Sequence, residues 1–336
     1  MVNSKKIRAA ISIGDPNGVG IEIILKALSK EEVLAKIIPI VFGSYDLIKA
    51  QAIDLGQETA RLNPISTIND LEDQKINILD VFKHCEYKFG VLDKSVSEFG
   101  IISFEAAIDA VKKQLADVLV TAPINKNAAY SSKFKFSGQT DYLSSFFNVE
   151  ALMLMVSEDL KMALTTDHIP LKEVHSVLNK DLIKRKLNLL NKTLQEDFEI
   201  PNPRIAVLAI NPHAGDNGVI GDEDNNIIVP VIKELNEKNY YIEGPFPSDT
   251  FFSNDGYKQY DAVLAAYHDQ GLIPFKTINF GKGVNFSAGL PIIRTSPDHG
   301  TAFDIAGKNI ADPGSFINAI VIASNIYFSR NNLISK

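Results

Sequence analysis

Short runs in which apolar residues stand side by side, rather than at alternate positions, recur along the chain. "RAAISI" (8–13), "IPIVF" (38–42), "DVLVTA" (117–122), "RIAVLAI" (204–210) and "DAVLAA" (261–266) are the clearest. A strand with one wet face alternates, so a strand apolar on both faces needs cover on both sides. The cover lies between the runs. "IEIILKALSK", "SFEAAIDAVKKQLA", the stretch Leu182–Phe198 and "NIIVPVIKELNEK" carry helical spacing, and "SFINAIVIASNIYFSR" reads as a final, mostly buried helix. Strand–helix alternation of this kind predicts an α/β architecture with mainly parallel pairing. Ile76–Val81 is a further strand, and "ALMLMVS" with "KMALTT" suggests two neighbouring strands, a hairpin among the parallel ones. There is no internal repeat and no low-complexity linker. The expected organisation is two α/β domains with interleaved boundaries, 1–130 plus 290–336 and 131–289.

A chain of 336 residues, 45% hydrophobic and 22% charged, has room for two such cores. Its net charge of −7, with no block of Lys or Arg, argues against a nucleic-acid partner. Cys85 is the one cysteine, so no intrachain disulfide forms, as suits a reducing compartment. The N-terminal "MVNSKKIRAAISIGDP" has lysines before an apolar stretch, but that stretch is too short for a signal peptide and runs into Gly-Asp-Pro. No run approaches the roughly 20 apolar residues of a membrane span. The expectation is a cytoplasmic protein with no membrane partner.

Three of the six histidines share one context. His168 follows "MALTTD", His213 follows "AVLAINP" and His268 follows "AVLAAY", each at or just past the end of a predicted buried strand. In open parallel sheets that edge is where ligands bind. Neutral imidazole is a common metal ligand, and three of them leave positions open for a substrate. Separate turn or capping histidines are the alternative, and spacing does not decide between the two. His84 lies in polar surroundings and His175 on a helical face.

Other polar groups sit at similar breaks. "GDPNGVG" (Gly14–Gly20) is strand–loop–helix, suited to an anion or to a purely structural turn. It is not G-x-G-x-x-G, so a Rossmann fold is unsupported. Lys276, Asn285 and Arg294 offer charge and donors to a phosphate. "TAPINK" ends a strand at Lys126. "SGQTDYL" (Ser137–Leu143) reads as a loop opening a helix, with Thr140 an N-cap or a ligand contact. In "YHDQGLIPFK" the residues between His268 and Lys276 read as a turn that aims both into one pocket, with Asp269 and Gln270 unassigned.

"ISIGDPNGVGIEI", "VTAPINK", "SGQTDYL", "TTDHIPL", "NPHAG", "YHDQGLIPFK", "GVNFSAGLPIIRTSPDHGTAFDIAG" and "DPGSF" stand in this order along nearly the whole chain. Together they resemble the 4-hydroxythreonine-4-phosphate dehydrogenase family. "DHGTAFDIAGKNIADP" is also similar to the adenosine-binding loop of isocitrate and isopropylmalate dehydrogenases. The resemblance implies a two-domain isocitrate/isopropylmalate dehydrogenase-like fold, not Rossmann, with the active site in the interdomain cleft at a homodimer interface. It implies NAD or NADP along His299, Gly300, Thr301, Ala302, Asp304 and Gly307. It implies one divalent metal ion (Zn, Mg or Co) on His168 of one subunit and His213 and His268 of the other. Gln139, Thr140, Lys276, Asn285 and Arg294 would bind substrate, and Asp249 would lie near the metal. Lys126 and Asp249 are the candidate general bases. The family pattern Gly-His-Thr-Glu is here Gly138-Gln139-Thr140-Asp141, and glutamine carries no proton charge.

The implied reaction oxidises 4-phosphooxy-L-threonine to 2-amino-3-oxo-4-phosphooxybutanoate, which decarboxylates to 3-amino-2-oxopropyl phosphate, in vitamin B6 synthesis. A D-threonate or D-erythronate 4-phosphate dehydrogenase of the same family is the alternative. A phosphate acyltransferase fits the three histidines less well, and a non-catalytic phosphometabolite-binding protein, which would form no NADH with any substrate, is a further alternative.

Overall fold

The computed structural model describes residues 6–125, 136, 138–253 and 255–334. Among these the strands are β1 (Ile7–Ser12), β2 (Ile37–Gly43), β3 (Leu62–Ile65), β4 (Ile76–Asp80), β5 (Val118–Thr121), β6 (Leu152–Val156), β7 (Lys161–Leu164), β8 (Arg204–Leu208), β9 (Tyr241–Phe246), β10 (Ala262–Ala265), β11 (Val284–Ala288) and β12 (Arg294–Pro297). The α-helices are α1 (Gly20–Leu28), α2 (Glu31–Leu34), α3 (Tyr45–Asp54), α4 (Lys94–Lys112), α5 (Gln139–Phe147), α6 (Leu171–Val177), α7 (Lys180–Glu196), α8 (Val229–Asn236), α9 (Ser248–Ser253), α10 (His268–Ile278) and α11 (Gly314–Ile334). The chain forms two compact units, 1–147 with 290–328, and 148–289 with 329–336.

In the first unit the strand order is β3-β4-β2-β1-β5-β12, and every neighbouring pair is parallel. The unbroken apolar runs account for this, since Ala9, Ala10, Ile11, Val118, Leu119 and Val120 are all fully buried. The unit extends to 147 rather than to the expected 130. The reason is local: Gln139 and Thr140 at the start of α5 bond to β5 and β12. Some helix starts follow side-chain caps. Asp93 accepts from the backbone N–H of Ser95 and Val96, so α4 opens well before the "SFEAA" stretch that marks it in the sequence.

"GDPNGVG" is a structural turn in this unit. Asp15 is buried and accepts from Ser97 Oγ at 2.5 Å and from the Asn17 N–H at 2.9 Å, while its burial raises its pKa. Gly14 adopts φ +71°, and a Cβ there would sit 2.3 Å from the Pro123 carbonyl oxygen.

In the second unit the order is β11-β6-β7-β10-β8-β9. β6 is antiparallel to both β11 and β7, which makes β6–β7 the expected hairpin. β7, β10, β8 and β9 run parallel. The core packs Met155, Met162, Leu164, Val263, Ala265, Leu272 and Phe275 together.

One local expectation fails. Residues 268–278 are helix α10 and not a turn, although they contain Gly271 and Pro274. Gly271 serves close packing. A Cβ on it would lie 2.7 Å from Leu164 Cδ2, 3.0 Å from Met162 Cγ and 3.1 Å from Ala265 Cβ. The glycine therefore lets α10 lie directly on β7 and β10. Gly271→Ala should cost about 1–3 kcal/mol through overpacking. The check is the shift in the chemical denaturation midpoint, and an unchanged midpoint would contradict the packing role.

Candidate active site

β10 lies between β7 and β8 and is parallel to both, so the three carboxyl ends share one edge. That edge delivers His168 after β7, His268 after β10 and His213 after β8. Pairing continues past the strands, with Thr165 N–H on the Ala265 carbonyl at 2.8 Å and Thr166 N–H on the Ala266 carbonyl at 3.2 Å. This side-by-side course sets the His168 and His268 rings 5.9 Å apart, centroid to centroid. Both line a cavity of about 310 Å³ together with Asp167 and Asp269. A single chain thus brings these two together without a second subunit. His213 lines a neighbouring cavity of about 820 Å³ with Asn211, Asp249 and Gln270, and the two cavities share Tyr267 and Asp269.

His268 Nδ1 stands 2.6 Å from Asp269 Oδ1. A carboxylate only accepts, so Nδ1 carries the proton and Nε2 is left with its lone pair. Gln270 ties two strand ends. Its Oε1 accepts from the Ala266 N–H at 2.6 Å, and its Nε2 donates to the Ala209 carbonyl at 2.6 Å and to Ser248 Oγ at 2.9 Å. Both residues unassigned in the sequence thus have a positional task.

The His213 loop is strained. His213, Ala214, Gly215, Asp216 and Asn217 take φ of 53°, 52°, 78°, 43° and 55°, a left-handed turn. Each non-glycine residue there costs roughly 1–2 kcal/mol. Carboxylates hold the loop in place. Asp224, fully buried, accepts from the Ile210 N–H at 2.7 Å and the Asn211 N–H at 3.0 Å. Glu223 accepts from Asn211 Nδ2 at 2.7 Å and meets His175 Nε2 at 3.0 Å, and backbone and Asn211 hydrogen bonds lower its pKa. Acidic residues before a helical stretch ordinarily read as helix-start charges, so nothing in the sequence marked Asp224.

The candidate anion-binding residues fall into two groups. Arg294, at the start of β12, is 3% exposed. It donates through Nε (3.1 Å) and Nη2 (2.8 Å) to Thr121 Oγ1, through Nη1 to Thr140 Oγ1 at 3.3 Å, and through Nη2 to Gln139 Oε1. Burial pulls its pKa down to about 9, which leaves the guanidinium charged at neutral pH. Thr140 stands inside α5 rather than before it, and its hydroxyl serves Arg294. Lys276 and Asn285 belong to the second unit. Lys276 is exposed on α10, and Asn285 on β11 has a buried Oδ1 without a hydrogen-bond partner among the described residues. Lys126 lies outside the described residues.

The loop His299–Gly307 rests on the "GDPNGVG" turn. Val19 N–H donates to the Thr301 carbonyl at 3.0 Å, and a Cβ on Gly18 would lie 2.8 Å from that oxygen. Ala302 takes φ +44° and Gly307 φ +79°, the latter packed on the Phe89 ring. Beyond Gly300 a Cβ would meet open space. His299 Nδ1 lies 2.9 Å from the Gly300 carbonyl, and its Nε2 is buried without a partner among the described residues. Asp304 is exposed. Lys26, paired with buried Glu22, donates to the Asn309 and Ala311 carbonyls at 3.0 and 2.9 Å and fixes the far end of the loop.

Comparison with known proteins gives one direction. The family model described as "Pyridoxal phosphate biosynthetic protein PdxA" matches residues 35–323. A 4-hydroxythreonine-4-phosphate dehydrogenase from Bacteroides thetaiotaomicron is 40% identical over 333 residues, covering 98% of this chain and 91% of its own. One from a Sulfurihydrogenibium species is 42% identical over 320 residues, covering 94% and 97%. The crystal structure of the Klebsiella pneumoniae 4-hydroxythreonine-4-phosphate dehydrogenase superposes with a TM-score of 0.83 at 32% identity, covering 97% and 99%. An isocitrate dehydrogenase from Methylococcus capsulatus, at 11% identity and a TM-score of 0.52 over 98% and 89% of the two chains, shares the fold alone.

The strained loop makes a prediction. Asp224→Ala leaves the half-buried N–H groups of Ile210 and Asn211 unmet at the entry to the His213 loop, and should cost about 1–3 kcal/mol. It should also weaken binding of added zinc about tenfold or more, if His213 is a ligand held from behind. Denaturation midpoint and zinc titration check the two parts. An unchanged midpoint contradicts the first, and unchanged zinc affinity the second.

Proposed function

The chain belongs to the PdxA family, and we propose from that premise that it oxidises 4-hydroxythreonine 4-phosphate with NAD or NADP, in pyridoxal phosphate biosynthesis. It is an oxidoreductase acting on the C3 hydroxyl. That carbon becomes a ketone, a hydride passes to the nicotinamide, and the resulting β-keto acid loses CO2 to give 3-amino-2-oxopropyl phosphate. The single observation that carries this reading is the delivery of three histidines from three adjacent parallel strand ends. The curated relatives carry the threonine-type name, which favours that substrate over the threonate type.

The donor set fits a divalent ion. His168 and His268 stand close enough to share one, and Asp269 holds the proton on the far nitrogen of His268. His213 would complete the set. Such an ion supplies Lewis-acid stabilisation of negative charge on the reacting oxygen. The loop from His299 to Gly307, with Thr301, Ala302 and Asp304, would take the dinucleotide, and the nicotinamide supplies the hydride acceptor. The partnerless Nε2 of His299 and the open space at Gly300 support that assignment.

The chain's own residues bind and orient. Arg294 would grip an anionic end of the substrate, its fork held by Thr121, Gln139 and Thr140. Lys276 and Asn285 would add charge and a neutral contact. Asp249, on the wall beside His213, is the candidate base within the described residues. A homodimer goes with this reading. It is supported by apolar side chains left open on the second unit, Ile273 at 65% and Phe280 at 89% exposure. No helix among the described residues is long and apolar enough to cross a membrane, and a cytoplasmic location is part of the same proposal.

The test is NADH or NADPH formation with 4-hydroxythreonine 4-phosphate and with D-threonate 4-phosphate, each with and without added divalent metal. Metal-dependent turnover of the first substrate at a kcat/KM at least about a hundredfold higher is expected, since the α-amino group offers the site a charged contact to recognise. Preference for the threonate ester, or full activity in metal-stripped protein, would overturn the reading.

A further inference from the structure

Gln139 is engaged inside the first unit through its amide oxygen and one N–H. Its Oε1 accepts from Thr121 Oγ1 at 2.7 Å and from Arg294 Nη2, and its Nε2 donates to the Ala122 carbonyl at 3.3 Å. The side chain is 8% exposed. Amide orientation follows from these partners, because a flipped amide would point its NH2 at two donors and its oxygen at a carbonyl. The direction of the Thr121 hydroxyl proton is then fixed. Thr121 has one hydroxyl proton and gives it to Gln139, so its lone pairs face Arg294 Nε and Nη2. Arg294 donates to both residues.

We propose that Gln139 is a positioning residue, a neutral acceptor that aims the Arg294 guanidinium without offsetting its charge, and so sets the affinity for the anionic end of the substrate. The proposal rests on Arg294 binding substrate, as in the function proposed above. Electrostatics supplies the reason. A carboxylate in the same place would accept the same hydrogen bond more strongly. In so dry a site it would also cancel much of the positive potential an anion meets. An apolar side chain would leave the donors of Thr121 and Arg294 unmet. The amide oxygen is the acceptor that orients and leaves the charge to the ligand. With its amide oxygen given to Thr121 and Arg294, Gln139 acts on the substrate through Arg294.

Gln139→Glu and Gln139→Met in the full chain test this. Gln139→Glu keeps the acceptor and should melt at or above the wild-type temperature. Its KM for 4-hydroxythreonine 4-phosphate should rise about tenfold or more, with the KM for the nicotinamide cofactor unchanged. Gln139→Met should raise the same KM and melt lower. A Gln139→Glu protein with wild-type substrate KM overturns the proposal, as does an equal rise in both KM values, which marks a merely structural role. Should Gln139→Glu fail to fold, Gln139→Met decides by the same split between the two KM values. Calorimetric binding of the phosphorylated substrate separates this proposal from the reaction. Wild-type protein that binds it without turnover overturns the reaction alone, and the loss of affinity in Gln139→Glu still decides the role of Gln139. Wild-type protein that neither binds nor turns it over overturns both.

Discussion

The parallel pairing of β10 with β7 on one side and β8 on the other is the constraint on which the candidate site depends. Parallel strands end on one edge, at a spacing of about 4.8 Å between neighbours. Side chains that follow directly after those ends are therefore neighbours, however far apart they lie in sequence. His168 and His268 are one hundred positions apart and their rings are 5.9 Å apart. The hydrogen bonds that prolong β7 and β10 beyond Leu164 and Ala265 keep the histidines in step. Gly271 contributes from beneath, by letting the helix that begins at His268 lie on both strands.

Placing these side chains costs energy, and buried polar groups offset it. The left-handed turn from His213 to Asn217 would relax if nothing held its entry. Asp224 and Glu223 hold that entry through Ile210 and Asn211. In the first unit the same logic applies to Arg294, a charge taken out of water whose donors meet Thr121, Gln139 and Thr140. In each case a side chain suited to a ligand is kept in one geometry by polar neighbours. Preorganisation of this kind is what a site needs before chemistry begins.

Much of this was legible in the sequence, for identifiable reasons. Runs such as "RIAVLAI" and "DAVLAA" have no alternating pattern, so they had to be buried on both faces and parallel in the main. Histidines after such runs stood out because a buried strand has no reason to end in one. What the sequence hid is what depends on three-dimensional packing. Gly271 and Pro274 look like turn residues, and only the closeness of Leu164 and Met162 explains the glycine there. The "GDPNGVG" turn supports the Thr301 loop, a partner that no local pattern shows. Asp224 and Gln270 bond to backbone groups of distant strands, and no local pattern marks such partners. Gln139 was legible as a departure from a motif, while its task needed Arg294 and Thr121 beside it.

The central claim is that the three strand-end histidines form one divalent metal site. Anomalous diffraction from crystals grown with zinc or cobalt, recorded at the absorption edge of the metal, tests it most directly. The account predicts a peak about 2.0–2.1 Å from a ring nitrogen of His168, His213 and His268, with Nε2 of His268 as its contact. A peak bound elsewhere, in protein whose turnover still requires the metal, would contradict it.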